Sequence, residues 1–305
     1  MSEPRDTAHH GKCQIHRSSG ENRIVSEQKT VPAAASGQDS NLLTRVAAAL
    51  VLAPVAIACA YVGSWLWIAL VTVATIGLFV EWQLVIGASR QIIATAGGAF
   101  ALLIAGISLA IGRIESAALI LGFGLVAVVL LAPQRRGWSG AGFLYAAAAQ
   151  MASVLVRLDH VDGLVALILV LSLVWVTDIG GYFAGRGIGG PKLWPRVSPN
   201  KTWAGAIGGL VGSLTVAVTF SAFGFGKVWP MLFLGAALSI ASQLGDLFES
   251  AVKRHFGVKD SSHIIPGHGG LMDRLDGFVA AIVLAAIFGL LRGGLDGVGR
   301  ALMVW

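Results

Sequence analysis

The feature that most constrains this chain is a succession of apolar runs, each about as long as a membrane is thick. Nine runs of 17 to 22 residues lie near 46–62, 65–86, 91–112, 115–133, 139–157, 163–184, 203–224, 229–248 and 274–294. A helix needs about 20 apolar residues to cross the hydrocarbon core of a bilayer. Polar and apolar residues do not alternate in these runs, which favours helices over barrel strands. We therefore predict an all-α, polytopic integral membrane protein with about nine transmembrane helices and a polar active site facing the cytoplasm.

The composition divides the chain into a tail and a membrane domain. Residues are 55% hydrophobic and 12% charged, whereas about 25% of a soluble domain is charged. Residues 1–40 are polar and lack an apolar period, which predicts a disordered cytoplasmic tail before a transmembrane domain at 41–305. The net charge of +6 is spread over tail and loops without a basic face interleaved with aromatic residues, so we expect no nucleic-acid partner.

The distribution of basic residues predicts the orientation. If the tail is cytoplasmic, 17 of the 22 Lys and Arg residues fall on the inner side. The outer set is then Arg113, Arg157, Lys227, Arg292 and Arg300. Because basic residues accumulate in cytoplasmic loops, we predict a protein of the cell (inner) membrane with its N-terminus inside and its C-terminus outside.

Acidic residues in or beside the predicted spans gather toward the cytoplasmic side. The set is Glu81, Asp178, Asp246, Glu249, Asp260, Asp273 and Asp276. The spacing of Asp246, Glu249 and Lys253 puts them on one helix face, and Asp273 and Asp276 begin the next span. Such carboxylates suit Mg²⁺, which binds one or two carboxylates together with substrate phosphates. Ion pairing at the membrane edge is the alternative interpretation, for example of Asp246 or Glu249 with Lys253.

Two long connections, 185–202 and 249–273, hold the other candidates. The first is rich in glycine and contains Arg186, Lys192 and Lys201, which are suited to phosphate groups. The hydroxyls of Ser198 and Thr202 either contact phosphate or cap the following helix. The second contains His268 between glycines, directly before the start of a helix, where free amides attract phosphate.

The most specific pattern in the chain combines Ser250–Arg254 (SAVKR), Lys259–Asp260 and Pro266–Asp276 (PGHGGLMDRLD). This pattern resembles the signature of the phosphatidate cytidylyltransferase (CDP-diacylglycerol synthase) family. A second segment also resembles that family, and its matching residues are Asp178, Tyr182, Gly185, Arg186, Lys192, Ser198, Pro199, Lys201, Thr202, Gly245, Asp246 and Glu249. The resemblance covers about residues 42–295 and departs from the family at Asn200 and Ala204, where lysine and glutamate are frequent.

The resemblance implies transfer of the cytidylyl group of CTP to phosphatidic acid, which gives CDP-diacylglycerol and pyrophosphate for phospholipid synthesis. It implies that Asp246 and Asp273 bind Mg²⁺, with Glu249 and Asp276 as further ligands or as groups that hold the ligands in place. A second metal ion is also compatible with this set. It also implies that Ser198 and Thr202 contact phosphate and that His268 lies beside pyrophosphate or cytidine. The cations that it implies for binding the phosphates are Arg186, Lys192, Lys201, Lys253, Arg254 and Arg274. Asp178 is expected to contact substrate.

Three other activities fit parts of the sequence. A transporter would carry its acids at mid-span, whereas these gather at one face. A CDP-alcohol phosphotransferase would show an Asp-Gly-x-x-Ala-Arg motif, of which only Asp276–Gly277 is present. A CTP-using lipid kinase would release CDP instead of pyrophosphate. The small residues Gly205, Gly208, Gly209 and Gly212 permit close helix packing, either within one chain or in a homodimer.

Overall fold

The structure, a computed structural model, describes residues 54–88, 91–259, 261–262 and 270–305. Eight described helices are long and apolar enough to cross a membrane, which confirms the polytopic all-α prediction. They are α2 Ser64–Val85, α3 Ile92–Ala110, α4 Ile114–Leu131, α5 Arg136–Leu158, α6 Gly163–Gly187, α7 Trp203–Ala222, α8 Val228–His255 and α9 Met272–Gly293. Residues 54–62 are also helical and are called α1, and the chain ends with a 3₁₀ turn, Leu295–Gly297, and α10, Val298–Met303.

The predicted spans match these helices within three residues at every end except one. Helix α8 continues to His255, seven residues beyond its predicted end at 248. Its last turn contains Lys253, Arg254 and His255, and cations there are stabilised by the helix dipole. Residues 46–53 of the first predicted span lie outside the described residues, as does the whole predicted tail at 1–40, whereas 54–62 form α1.

The connection between α6 and α7 contains a β-hairpin that the sequence analysis did not predict. Strand β1, Lys192–Trp194, pairs antiparallel with β2, Ser198–Thr202, and Lys192 lies opposite Thr202. The turn before β1 is possible because Gly189 and Gly190 adopt φ of 69° and 91°. The hairpin therefore holds its basic residues in a defined position beside the helix bundle.

Helices α6 and α7 pack closely along the glycine stripe of α7. A Cβ on Gly205 would lie 2.8 Å from the carbonyl oxygen of Gly181, and one on Gly209 would lie 2.6 Å from that of Thr177. Because real Cβ atoms do not approach that closely, only glycine fits at these positions. Of the two uses predicted for this stripe, the structure supports close packing within one chain.

The bundle has two ends with different contents. At one end, Arg157 donates to the carbonyl oxygens of Ala60 and Tyr61, and the backbone amide of Arg300 donates to Asp159. At the opposite end, Arg135 lies over the ring of Phe256, 5.0 Å from its centroid. The second end also contains the hairpin and the start of α9, so the two long polar connections meet there.

Candidate active site

A polar cavity of about 730 Å³ opens between α6, the hairpin, α7 and α8. Its volume lies within the range of about 300–1,000 Å³ that is typical of small-molecule sites. Its walls are formed by Thr177, Asp178, Gly181, Tyr182, Gly185, Arg186, Lys192, Leu193, Asn200, Lys201, Thr202, Gly205, Ala206, Gln243 and Asp246. The cavity therefore joins residues from the end of α6, the hairpin and the start of α7 with Gln243 and Asp246 of α8.

Three basic side chains line this cavity. Lys201, from β2, forms an ion pair with Asp246 of α8 and so joins the hairpin to the bundle. Arg186, in the last turn of α6, donates to the Tyr182 hydroxyl at 2.7 Å, and Lys192 begins β1. The three cations come from separate elements around one opening, which is an arrangement suited to a polyphosphate.

A second cluster of charges joins α8 to α9. The ammonium nitrogen of Lys253 lies 3.1 Å from Glu249 Oε1 and 2.5 Å from Asp273 Oδ1. Asp273 Oδ2 accepts from the amides of Ser261 and Gly270 and from the Ser261 hydroxyl, so both of its oxygens have partners. Glu249 and Lys253, which helical spacing places on one face of α8, therefore meet Asp273 at the start of α9, and the pairing of Glu249 with Lys253 is the alternative interpretation given for these charges.

Glu249 differs from Asp273 in its surroundings. Its side chain is 2% exposed, and its Oε1 lies 3.1 Å from the ammonium nitrogen of Lys253. A buried carboxylate is costly unless it is paired, and Lys253 supplies that pairing. The electrostatic neighbours of Glu249 include Asp276, Lys253 and Asp273, and Asp178 of α6 interacts with Asp276 and Asp246. Carboxylates on α6, α8 and α9 therefore share one region.

An apolar groove of about 570 Å³ lies on the other side of α8. Helices α5, α8 and α9 line it with Ala141, Leu144, Tyr145, Ala148, Ala241, Leu244, Gly245, Phe248, Val279, Ala280 and Val283. Gly245, which lines the groove, is next in sequence to Asp246, which lines the polar cavity, so the two spaces flank the same turn of α8. A polar space and an apolar space therefore lie on different sides of this helix.

Other predicted site residues have different positions. Thr202 caps α7, with its hydroxyl oxygen accepting from the amide of Gly205 at 3.1 Å, as one of the two interpretations predicted. Ser198 begins β2 and is not among the residues that line the polar cavity. Arg254 is exposed and donates to the carbonyl oxygen of Val258 at 3.4 Å, and Arg274 is exposed in the first turn of α9. His268 lies outside the described residues.

Sequence reasoning missed three residues at or near this site. Gln243 lines the polar cavity one turn before Asp246, and its place on the same helix face was the available signal. Asn200 also lines the cavity, although it departs from the family pattern. Glu81 was recognised as an acid in a span, but nothing in the sequence indicated its partners.

No group of three or more His, Cys, Asp or Glu side chains is arranged as a ready cation site within the described ranges. The oxygens of Asp246 and Glu249 nevertheless suit a divalent cation that takes its remaining ligands from phosphates. Glu249 in particular offers a buried carboxylate whose cationic neighbour is Lys253. The residues therefore fit Mg²⁺ brought by a nucleotide better than a permanently bound ion.

Comparison with known proteins places the chain among nucleotide-using enzymes. Residues 43–291 match the model of the cytidylyltransferase family. A phosphatidate cytidylyltransferase of Brucella suis is 42% identical over 259 residues, which cover 82% of this chain and 94% of that protein. Another, from Staphylococcus haemolyticus, is 50% identical over 129 residues, or 41% of this chain and 49% of that protein.

Proposed function

We propose that this chain, which belongs to the cytidylyltransferase family and transfers the cytidylyl group of CTP to phosphatidic acid, carries out the reaction at the turn of α8 that the polar cavity and the apolar groove flank. The observation that carries the proposal is the position of Gly245 and Asp246, neighbours in this turn that line the groove and the cavity respectively. One substrate is a water-soluble polyanion and the other is a lipid, and the polar and apolar spaces match that difference. CDP-diacylglycerol and pyrophosphate are the products.

CTP occupies the polar cavity in this proposal. Its triphosphate lies among Arg186, Lys192 and Lys201, which approach from α6, β1 and β2. Lys201 is shared, because it is paired with Asp246 in the structure and becomes a phosphate ligand when CTP enters. This exchange releases the Asp246 carboxylate at the moment when the nucleotide arrives.

Phosphatidic acid approaches from the bilayer, with its acyl chains in the apolar groove and its phosphate at the acidic cluster. The lipid phosphate is already an anionic nucleophile, so the reaction needs no strong base. One of its oxygens bonds to the α-phosphorus of CTP, the bond from that phosphorus to the bridging oxygen breaks, and pyrophosphate leaves. Catalysis then consists of positioning two polyanions and neutralising their charge.

Asp246, Glu249 and Asp273 are the proposed holders of Mg²⁺, with Asp276 beside them. When bound, Mg²⁺ neutralises phosphate oxygens and makes the α-phosphorus accessible to an anion. Lys253 contacts both Glu249 and Asp273 and so keeps their carboxylates close together. Those side chains therefore remain near one another before substrates arrive.

We place the site on the cytoplasmic face, with the C-terminus outside. The excess of basic residues at the end of the bundle that contains the site supports this orientation. Cysteines introduced as Arg196→Cys and Lys227→Cys in a background without Cys13 and Cys59 test it with an impermeant maleimide. In intact spheroplasts, the maleimide should label only the Lys227→Cys variant. Labelling of Arg196→Cys without permeabilisation would show that the orientation is the opposite of the one proposed.

The activity is tested with purified protein in phosphatidic acid micelles with CTP and Mg²⁺. CDP-diacylglycerol and pyrophosphate should form in equal amounts, whereas release of CDP would indicate a lipid kinase. Asp246→Asn and Asp273→Asn should each lower kcat by at least about 100-fold, because the proposed metal ligands are lost. Full activity of both variants would exclude this site as the place of reaction.

A further inference from the structure

Glu81 is a completely buried carboxylate near the end of a membrane-spanning helix. Its residue is 0% exposed, and it lies in the last turn but one of α2. Acidic groups within membrane spans are costly and are usually kept for a function. The position is also unfavourable within α2 itself, because a helix C-terminus carries partial negative charge. The reason for this residue must therefore lie outside α2.

Three donors from the chain before and at the start of α9 point at the Glu81 carboxylate, and the Ser261 hydroxyl lies beside it. Oε1 accepts from the Ser262 hydroxyl at 2.6 Å and from the amide of Leu271 at 2.8 Å. Oε2 accepts from the amide of Met272 at 2.7 Å and lies 3.2 Å from the Ser261 hydroxyl. Since Leu271 itself offers no side-chain cap, Glu81 of α2 is the acceptor for the free N-terminal amides of α9.

The Ser261 hydroxyl connects Glu81 to the proposed metal ligand Asp273. Its oxygen lies 3.2 Å from Glu81 Oε2 and 3.1 Å from Asp273 Oδ2. The other oxygen of Asp273 holds Lys253, which in turn approaches Glu249. A continuous chain of polar contacts therefore runs from a buried residue of α2 to the acidic cluster.

The packing around Gly270 shows how closely these groups fit. A Cβ at this position would overlap the Ser261 hydroxyl and would lie 2.8 Å from Glu81 Oε2. The Gly270 amide donates to Asp273 Oδ2 at 3.2 Å. Glycine is thus required if Glu81, Ser261 and Asp273 are to meet.

We propose that Glu81 is a positioning residue for cytidylyl transfer, which sets the orientation of the Asp273 carboxylate through Ser261 and through the N-terminus of α9. The inference rests on the proposed function, because it concerns the geometry of a carboxylate assigned there. Glu81 does not touch substrate. It fixes both the amide of Met272 and the hydroxyl that faces Asp273, so the start of α9 has one position relative to α8.

The test compares Glu81→Gln and Ser261→Ala with Ser139→Ala. Ser139 is a matched control, because it is also a buried serine that donates to a side chain of α2, namely Gln83 at 3.1 Å. Glutamine keeps the size of Glu81 but places an NH₂ group where an amide donor needs an acceptor. Ser261→Ala removes the bridge alone and leaves the two amide contacts of Glu81 in place.

Glu81→Gln should lower kcat by about 10- to 100-fold with KM for CTP changed by less than about threefold, as is typical when a group that orients a metal ligand is lost. Ser261→Ala should lower kcat by about tenfold. The double variant should be no slower than Glu81→Gln, because Ser261 is one of the two routes by which Glu81 acts on Asp273. Ser139→Ala should stay within about twofold of the unmodified protein, since its contact leads away from α9.

Hydrogen exchange gives a readout that does not depend on activity. In Glu81→Gln, the peptide containing residues 270–275 should exchange faster, because the amides of Leu271 and Met272 lose their acceptor. In Ser139→Ala, the exchange rate of this peptide should not change. Equal kcat in the Ser261→Ala and Ser139→Ala variants, or independent losses in the double variant, would overturn the proposal. If Asp273→Asn is inactive but Glu81→Gln is fully active, the positioning role of Glu81 is rejected and the proposed site stands. If Asp273→Asn is fully active, the proposed site itself is rejected.

Discussion

Lys253 and Lys201 both form ion pairs with carboxylates, but the two pairs differ in solvent exposure. This difference predicts that removing each lysine lowers the free energy of unfolding by a different amount. The side chains of Lys253 and Glu249 are 12% and 2% exposed, whereas those of Lys201 and Asp246 are 29% and 31% exposed. Removing one partner of a buried pair costs about 3–5 kcal/mol, because the other charge stays buried without compensation. A pair that solvent reaches, as here with both side chains about one-third exposed, contributes about 0–1 kcal/mol.

Lys253→Met should therefore lower the free energy of unfolding by about 3 kcal/mol, and Lys201→Met by less than about 1 kcal/mol. Most of the first loss should come from Glu249, since Asp273 retains the Ser261 and Gly270 amides as donors. Adding Glu249→Gln to Lys253→Met should then recover much of the stability, because the buried charge has been removed as well.

Reversible unfolding in mixed detergent micelles measures these differences, with CTP turnover recorded on the same samples. Both single variants should lose most of their activity, because Lys201 faces the nucleotide and Lys253 aligns the carboxylates. Activity should remain low in the double variant although its stability returns. An equal loss of stability in Lys201→Met and Lys253→Met, or no recovery in the double variant, would refute the reasoning.

Three further predictions concern packing, capping and pH. Gly209→Ala should cost about 1–3 kcal/mol in unfolding experiments through overlap with α6, while Gly122→Ala, which meets no atom within 4 Å, should be neutral. Thr202→Ala should cost about 1 kcal/mol of thermal stability through loss of the α7 cap, and Thr202→Ser should retain most of it. Burial alone would raise the pKa of Asp159, but backbone amides that donate to it hold its pKa below the ordinary carboxyl value. Its stabilising effect should be present above the ordinary carboxyl pKa and lost as pH falls through the lowered value, so Asp159→Asn should be less stable at neutral pH and less sensitive to acid.

The positions of the helices could be predicted because lipid imposes a length and a composition on every span. The common face of Asp246, Glu249 and Lys253 followed from helical spacing, whereas the contact of Lys253 with Asp273 depends on how α8 packs against α9. The hairpin could not be predicted, because SPNKT in β2 has no strand pattern and depends on its pairing with β1.

The partners of Glu81 were hidden for a related reason. Glu81 and Leu271 are 190 positions apart, and their contact depends on how α2 packs against the start of α9. Gly77 lies one helical turn before Glu81, and a Cβ at this position would be 3.0 Å from the side chain of Leu271. This close approach is set by the whole bundle, so local spacing contains no record of it.

The charges at this site are arranged so that the protein neutralises itself before its substrates arrive. Lys201 is paired with Asp246, Lys253 is shared by Glu249 and Asp273, and Glu81 is satisfied by the amides of α9. Among the described residues that line the polar cavity, Arg186 and Lys192 are the cations not engaged in these pairs. Binding must exchange existing pairs for new ones, and an added cation balances the negative charge that CTP and phosphatidic acid bring together. The exchangeable pair is the more exposed one, Lys201 with Asp246, whereas the buried pair and Glu81 keep the carboxylates in place.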